Sequence, residues 1–521
     1  MIHNDKARMA AALACGLLLT GAFPNVNISW LVWCAMVPLF WAISSGITAG
    51  TGFRLGFMAG LVHYSTLMYW LVHTMTAFGG LSWALAVPVL FLLSAYLSLF
   101  PAVFVWIITC YRPAPVVSLI LVPSAWTGLE FIRSFLLSGL PWGFLGYTQY
   151  RNLSLIQMAD IFGVYGISFL IVFVNIGIFL CIYYVRHNKW FGQPITGKSF
   201  LTALFLLIIT MISVVGYGYA RIRTMDGIVK QSETRTIAAI QGNIAQDIKW
   251  DEKFALSTIS TYIRLSTGFK NSRTDLVVWP ESATPFYLTR DPYFTRIVMD
   301  GVRSTGADFI IGSPSFTDHD GNTVYHNSAF LIDKAGQLQN RYDKAHLVPF
   351  GEYVPLKKFL PFVGKIVAGV GDFVPGLMGK TVPWHGHRIG ILICYELIFP
   401  ELARCQVQHG ASFLVNLTND AWYGRTSAPY QHFSMAIFRA IENRRALVRV
   451  ANTGISGFID PIGRISQPTK LFEATAIRQS IPMVSIKTSY DQVGYLFTYA
   501  CLVILALFFV CRYIIPHVKI R

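Results

Sequence analysis

Three reactive side chains in this sequence could share one chemical task. Glu281 and Cys394 each end an apolar run, and Lys344 lies between them in the chain. A thiol is a weak nucleophile until a base removes its proton or a cation stabilises the thiolate. A carboxylate can remove that proton, and a lysine can stabilise both the thiolate and the oxyanion formed when a carbonyl is attacked. The three side chains could therefore transfer an acyl group through a thioester, although their spacing does not show that they meet.

The segment around Cys394 is the strongest of these signals. Residues 388–393 are Arg-Ile-Gly-Ile-Leu-Ile. Four of the five residues before Cys394 are aliphatic, and such a run predicts a strand that is covered on both faces. A thiol at the end of a rigid strand is a plausible mount for a nucleophile. The alternative is that Cys394 is a small core residue, because free cysteine is often buried.

The composition indicates a membrane protein with one water-soluble domain. Of the 521 residues, 54% are hydrophobic and only 13% are charged, whereas soluble domains carry about 25% charged residues. The apolar runs are concentrated before residue 220 and after residue 490. We therefore expect a membrane bundle of seven helices over 1–220, a catalytic domain over 221–490, and an eighth helix with a tail over 491–521.

A membrane-spanning helix needs about 20 mostly apolar residues, and eight segments approach this length. They are residues 9–25, 29–47, 55–76, 82–110, 115–134, 163–185, 199–220 and 494–516. When the loops are assigned alternately to the two sides, nearly all Lys and Arg residues of the short loops fall on the side of both termini. The positive-inside rule then places the termini in the cytoplasm and the domain 221–490 outside it, which is the periplasm in a Gram-negative bacterium.

The domain 221–490 alternates predicted strands and helices. Strands are expected at 237–243, 275–281, 309–313, 327–333, 388–393, 413–417, 446–450 and 454–459, and helices at 252–267 and 431–444. This alternation predicts a layered α/β domain with a mixed sheet. Of the eight cysteines, only Cys394 and Cys405 lie in this domain, and a bridge between them is left open by the sequence.

Three separated motifs carry a family resemblance. Trp279-Pro280-Glu281, the run Tyr-Asp-Lys-Ala-His-Leu-Val-Pro-Phe-Gly-Glu at 342–352, and Cys394-Tyr395-Glu396 resemble motifs of the nitrilase, or carbon–nitrogen hydrolase, superfamily. The resemblance implies an α-β-β-α sandwich and a Glu-Lys-Cys triad. The run that continues to Pro355 and the flanking apolar helices narrow the resemblance to the bacterial apolipoprotein N-acyltransferases.

This resemblance implies a specific reaction. Cys394 would take an acyl chain from a membrane phospholipid as a thioester and pass it to the N-terminal amine of a diacylglyceryl apolipoprotein. Glu281 would be the general base, and Lys344 would stabilise the oxyanion. The phospholipid donor, the apolipoprotein acceptor and the lipid bilayer are the expected partners, and the protein would lie in the bacterial inner membrane.

Five further residues match positions that the resembled family uses. They are Glu352, which would support the triad; Tyr395 and Glu396, which would shape the acyl site; and Trp250 and Asn327. Three of them have a structural alternative: Glu352 could be a solvated loop acid, and Trp250 and Tyr395 could pack without contacting substrate.

Other function classes find less support. The net charge of +16 could suggest nucleic-acid binding, but no basic helix or patch interleaved with aromatic residues accompanies it. The sequence contains no metal-ligand cluster, P-loop or dinucleotide fingerprint, so no cofactor is expected. A membrane-tethered amidase, and a transporter or scaffold with an inactive enzyme domain, stay as alternatives.

The insertion 359–373 is apolar but interrupted by three glycines, which disfavour a regular helix. We expect it to be an arm that enters the outer leaflet and admits acyl chains to Cys394. A loop that covers the core is the alternative.

Overall fold

The computed structural model describes residues 5–270, 272–319, 322–353 and 373–511. The chain forms two compact units. One comprises Met1–Val72, Ser82–Arg221 and Gln492–Arg521, and the other comprises His73–Leu81 and Ile222–Asp491. The expected arm lies, apart from Phe373, outside the described residues.

The helices follow the apolar runs in the first unit and alternate with strands in the second. The α-helices are Asp5–Gly21 (α1), Val37–Ile43 (α2), Ala49–Leu67 (α3), Trp70–Ala77 (α4), Trp83–Tyr111 (α5), Pro115–Arg133 (α6), Leu153–Ile156 (α7), Ala159–Val185 (α8), Gly197–Gln231 (α9), Ala255–Thr267 (α10), Pro292–Thr305 (α11), Pro400–Gln408 (α12), Ala428–Asn443 (α13), Ser489–Val493 (α14) and Leu496–Phe509 (α15). Short 3₁₀ helices include Ser29–Trp33, Cys394–Ile398 and Asp420–Tyr423.

Four helices of the described chain are long and apolar enough to cross a membrane: α5, α6, α8 and α9. The pair α3 and α4 passes the same test if it is one span, and it is bent by 52° at its break. The expectation that several apolar helices precede the catalytic domain is therefore confirmed, whereas the count of eight spans is not.

The expected segment 29–47 is not one continuous α-helix. The structure has the 3₁₀ helix Ser29–Trp33 followed by the seven-residue α2, with Pro38 in the first turn of α2. Proline fits the first turn of a helix because its missing N–H has no partner there, so Pro38 is suited to the start of a new helix. Hydropathy alone does not show this interruption, because both pieces are apolar.

In the described part of the first unit, two strands of two residues each pair as a short hairpin. The strands of the second unit form two sheets. The strands are Lys189–Trp190 (β1), Gln193–Pro194 (β2), Thr234–Gln241 (β3), Leu276–Val278 (β4), Asp308–His319 (β5), Asn322–Ile332 (β6), Leu338–Asp343 (β7), Thr381–Trp384 (β8), His387–Ile393 (β9), Phe413–Thr418 (β10), Leu447–Ala451 (β11), Gly457–Ile459 (β12), Ile465–Ser466 (β13) and Thr475–Pro482 (β14). The eight strands expected in the second unit are present with shifted ends, as β3 to β6 and β9 to β12, whereas β7, β8, β13 and β14 were not predicted.

The two six-stranded sheets have related topologies. One has the order β14-β3-β4-β5-β6-β7, and the other has the order β13-β12-β11-β10-β9-β8. In each sheet three central strands are parallel, β3 with β4 and β5, and β9 with β10 and β11. The remaining pairings are antiparallel, so both sheets are mixed as expected.

The alternation of side chains along the strands produces a layered sandwich. In β3, Ile237 and Ala239 join an apolar core that also contains Ile391 and Val415 from the other sheet. Their neighbours in β3 point the other way, into a second core with α10 and α11. Because successive side chains of a strand face opposite sides, the buried runs of the sequence are buried on both faces. The result is the expected arrangement of helices outside two packed sheets.

Candidate active site

The acid of the first motif is buried just beyond β4. Glu281 is 8% exposed, and its Oε1 lies 3.7 Å from the Nζ of Lys344. Its Oε2 accepts a hydrogen bond of 3.0 Å from the main-chain N–H of Asn419. The carboxylate of Glu281 is thus held by a main-chain N–H from a loop of the other sheet, and it faces the ammonium group of Lys344.

Lys344 follows β7 directly and is 1% exposed. Its Nζ lies 2.9 Å from both carboxylate oxygens of Glu352. Burial lowers the pKa of Lys344, but the charges of Glu352, Glu281 and Cys394 outweigh it and raise the pKa above its ordinary value. The lysine is therefore a permanent cation at neutral pH.

Asn327 and Glu352 hold the acid and the amine together. The Nδ2 of Asn327, on β6, donates to Oε1 of Glu281 and to Oε1 of Glu352, each at 2.9 Å. Oε2 of Glu352 accepts from the main-chain N–H of Val348 at 2.8 Å. Glu352 is 9% exposed, so it is not a solvated loop acid.

Cys394 stands at the end of β9 in a left-handed conformation, with φ of +54°. Burial, and next the charge of Glu281, raise the pKa of its thiol to about 12, against the opposing effects of Lys344 and a hydrogen bond with Thr418. The thiol is therefore protonated at rest and needs a base to become a nucleophile. Both Cys394 and Cys405 are free thiols, so the bridge that the sequence left open does not form.

The left-handed backbone of Cys394 predicts an unusual response to glycine. A left-handed backbone costs a residue other than glycine about 1–2 kcal/mol, and a glycine at this position would avoid that cost. Glycine also gives the unfolded chain more conformational freedom, which lowers the stability of the folded state by about 0.4–1 kcal/mol and so cancels part of the gain. We expect Cys394→Gly to be at least as stable as Cys394→Ala in thermal unfolding. At the preceding Ile393, where φ is −96°, the glycine variant should be less stable than the alanine variant; the same order at both positions would contradict the prediction.

Glu396 lies beneath the cysteine turn. Its carboxylate is fully buried and accepts main-chain N–H bonds from Ile393 at 2.6 Å, Ala345 at 2.6 Å and His346 at 3.0 Å. It thus ties the turn that carries Cys394 to the loop that carries Lys344.

The other two residues expected at the site differ in exposure. Tyr395 is 9% exposed, and its ring packs 5.2 Å from that of Phe399. Trp250 is 40% exposed, which rules out a role in the core. Its exposed indole is compatible with contact to a substrate.

A second buried lysine was missed by the sequence analysis. Lys249, next to Trp250, is 2% exposed, and its Nζ donates to the main-chain oxygen of Glu281 at 3.0 Å. Burial lowers its pKa to about 8 against the charges of Glu281 and Cys394. In the sequence Lys249 lies 32 residues before Glu281 and belongs to no motif with it, so no local signal could have found this contact.

A polar cluster behind Cys394 was also missed. Asp420, His432 and Arg449 are buried, and His432 contacts the main-chain oxygen of Cys394. In the sequence these residues lie in three different elements and have no motif spacing. The site therefore contains a protonated thiol, a carboxylate and a permanent cation within one buried cluster, which suits nucleophilic attack on a carbonyl group.

The fold and the site define a class of enzyme. Residues 236–488 match the carbon–nitrogen hydrolase family, so the second unit is an enzyme domain of the carbon–nitrogen hydrolase superfamily. A solved amidase of the nitrilase superfamily from Nesterenkonia is similar at 18% identity with a TM-score of 0.39, over 52% of this chain and 97% of that one.

Residues 15–177 match the apolipoprotein N-acyltransferase N-terminal domain. An apolipoprotein N-acyltransferase from Geobacter metallireducens is 44% identical over 94% of this chain and 92% of its own length. One from Rickettsia prowazekii is 35% identical over 71% of each chain, and one from Vibrio vulnificus is 29% identical over 95% of this chain and 94% of its own. The chain belongs to the apolipoprotein N-acyltransferase family.

Proposed function

We propose that this N-acyltransferase works through a Glu281–Lys344–Cys394 triad, by a ping-pong route with a thioester on Cys394. The donor is a membrane phospholipid, and the acceptor is the N-terminal amine of a diacylglyceryl apolipoprotein. The observation that supports this most is the shared contact of Lys344 with Glu281 and Glu352 next to a protonated thiol. Glu352 and Asn327 position the triad, Glu396 secures the turn of Cys394, and Tyr395 and Trp250 contact substrate.

In the first half-reaction the sulfur of Cys394 attacks the ester carbonyl carbon of the phospholipid. Glu281 takes the thiol proton, and Lys344 stabilises the oxyanion. The ester C–O bond then breaks, and the leaving lysophospholipid oxygen takes the proton from Glu281. The products are the thioester and a lysophospholipid, and Glu281 is again a carboxylate.

In the second half-reaction the acceptor amine attacks the thioester carbonyl carbon. Its nitrogen loses a proton to Glu281, and Lys344 again stabilises the oxyanion. The C–S bond breaks, and the sulfur leaves as a thiolate that takes the proton back. The product is an amide, and the enzyme returns to its starting state.

The pKa of the Cys394 thiol should shift in opposite directions when Glu281 and when Lys344 is replaced by a neutral residue. The charge of Glu281 raises the pKa of Cys394, and Lys344 opposes this effect. In Glu281→Gln we therefore expect the pH profile of Cys394 alkylation by iodoacetamide to shift downward by about one unit, although acylation from phospholipid falls at least a hundredfold for lack of a base. Lys344→Met should shift the profile upward. Shifts of equal sign in the two variants would contradict the electrostatic assignment.

The fate of the acyl group distinguishes transfer from the alternative of a membrane-tethered amidase. Purified protein is given a phospholipid with an isotopically labelled acyl chain and a diacylglyceryl-cysteinyl peptide. Mass spectrometry should find the label first on the peptide that contains Cys394 and then as an amide on the acceptor. Release of the label mainly as free fatty acid would favour the amidase, and an unlabelled Cys394 under turnover would contradict the thioester.

We further propose that the chain lies in the inner membrane of a bacterium with eight spans, and that the catalytic domain 221–490 is periplasmic. The support is the Lys and Arg distribution of the short loops, together with four helices that could span a membrane. Both termini, including the tail of the segment 491–521, are then cytoplasmic.

Thiol labelling of intact cells tests this orientation. Asn188 and Gln339 are both exposed, and the proposal puts them on opposite sides of the inner membrane. With the outer membrane permeabilised and other accessible thiols removed, a membrane-impermeant maleimide should label Gln339→Cys but not Asn188→Cys. Lysed cells, in which both should be labelled, provide the control. The reverse pattern would place the catalytic domain in the cytoplasm.

A further inference from the structure

The backbone of Cys394 is in a conformation that must be held. A residue other than glycine with φ of +54° is strained, and such strain persists only where the surroundings enforce it. On the N-terminal side of the turn, Glu396 Oε2 accepts the main-chain N–H of Ile393 at 2.6 Å. On the C-terminal side, the main-chain oxygen of Cys394 lies 3.2 Å from Nε2 of His432.

The contact with Cys394 fixes the role of one ring nitrogen of His432. A main-chain oxygen can only accept, so Nε2 must be the donor toward Cys394. The other ring nitrogen, Nδ1, lies 3.1 Å from Nη2 of Arg449. Burial, and next the positive charge of Arg449, lower the pKa of His432. Oδ1 of Asp420 also lies 3.1 Å from Nδ1.

Asp420 and Arg449 fix this imidazole in place. Nη2 of Arg449 lies 2.8 Å from Oδ2 of Asp420, and Nη1 donates to Oδ1 of Asn416. Oδ1 of Asp420 accepts from the hydroxyl of Thr418 at 3.0 Å. The side chains of Asp420, His432 and Arg449 have no exposed surface, so the network cannot rearrange without moving α13 or the ends of β10 and β11.

We propose that His432, oriented by Asp420 and Arg449, is a positioning residue that holds the nucleophile Cys394 in its left-handed conformation by donating to its main-chain oxygen. The inference rests on the proposed role of Cys394. Without this hydrogen bond the turn relaxes toward negative φ, which swings the sulfur away from Glu281 and Lys344. A displacement of about 1 Å can cost a hundredfold in rate.

Two substitutions of His432, by glutamine and by asparagine, test the proposal because their amide groups lie at different distances from the main chain. The Nε2 of a glutamine can occupy the place of the imidazole Nε2, whereas the amide of an asparagine is one methylene too short. We expect His432→Gln to keep the alkylation rate of Cys394 by iodoacetamide, and the yield of acyl-enzyme from phospholipid, within about threefold of the parent. We expect His432→Asn and His432→Phe to lose tenfold or more in both measurements.

Ser434→Ala is the matched control, because this residue of α13 is also buried and donates to the main-chain oxygen of Gln431 at 2.7 Å. It should lower the melting temperature without changing alkylation. If His432→Phe does not fold, the glutamine and asparagine variants decide the question. Equal alkylation by these two folded variants, or a rate in folded His432→Phe equal to that of the parent, would overturn the proposal. Alkylation that follows this pattern in a protein that never forms an acyl-enzyme would instead overturn the proposed function.

Discussion

Replacing Cys394 with alanine is expected to abolish acyl-enzyme formation, with a loss of at least a thousandfold in N-acylation of a diacylglyceryl peptide. The change removes one buried sulfur atom, and no other side chain of the triad can form a thioester. The measurement is mass spectrometry of the protein after incubation with phospholipid, followed by addition of the acceptor peptide.

The chain offers a control for this variant in Cys405, which is also a free thiol of the second unit but contacts His409 rather than the triad. Cys405→Ala should form the acyl-enzyme normally. Continued N-acylation by folded Cys394→Ala, or its loss in Cys405→Ala, would remove the thioester on Cys394 from the mechanism.

Replacing Lys344 with methionine is expected to cost both activity and stability. The methionine keeps most of the volume but leaves the carboxylates of Glu281 and Glu352 buried together without their shared cation. Breaking a buried ion pair on one side costs about 3–5 kcal/mol, which corresponds to a fall of roughly 10 °C in melting temperature for a domain of this size. Acyl-enzyme formation should fall by at least a thousandfold, because the oxyanion loses its cation.

A double variant separates the two effects. Lys344→Met with Glu352→Gln leaves Glu281 as the one remaining carboxylate of the two that contact Lys344, so we expect a large part of the melting temperature to return while acylation stays absent. Melting curves and acyl-enzyme yields of the parent, both single variants and the double variant complete the cycle. If the double variant melts below Lys344→Met, the lysine does not act by neutralising Glu352.

Much of the fold could be predicted from the sequence for a simple reason. The strands that matter most are continuous aliphatic runs, and such runs are typical of strands buried on both faces. Because Cys394 directly follows the run that forms β9, the candidate nucleophile and the strand that carries it could be recognised together. The membrane bundle was visible in the same way, but the break between Trp33 and Val37 was not, because hydropathy measures burial in lipid and not the continuity of a helix.

The sequence by itself determined the chemical types at the site and the strand ends that carry Glu281 and Cys394, but it did not predict β7, the strand that precedes Lys344. Only the tertiary structure decided which further side chains meet them. The carboxylate of Glu281 accepts a hydrogen bond from the main chain of Asn419, 138 residues away. The main-chain oxygen of Cys394 accepts one from His432, 38 residues away on a helix. The physical reason is that such contacts arise where two sheets pack and their loop ends converge, whereas periodicity and motif spacing report only on neighbours within one element.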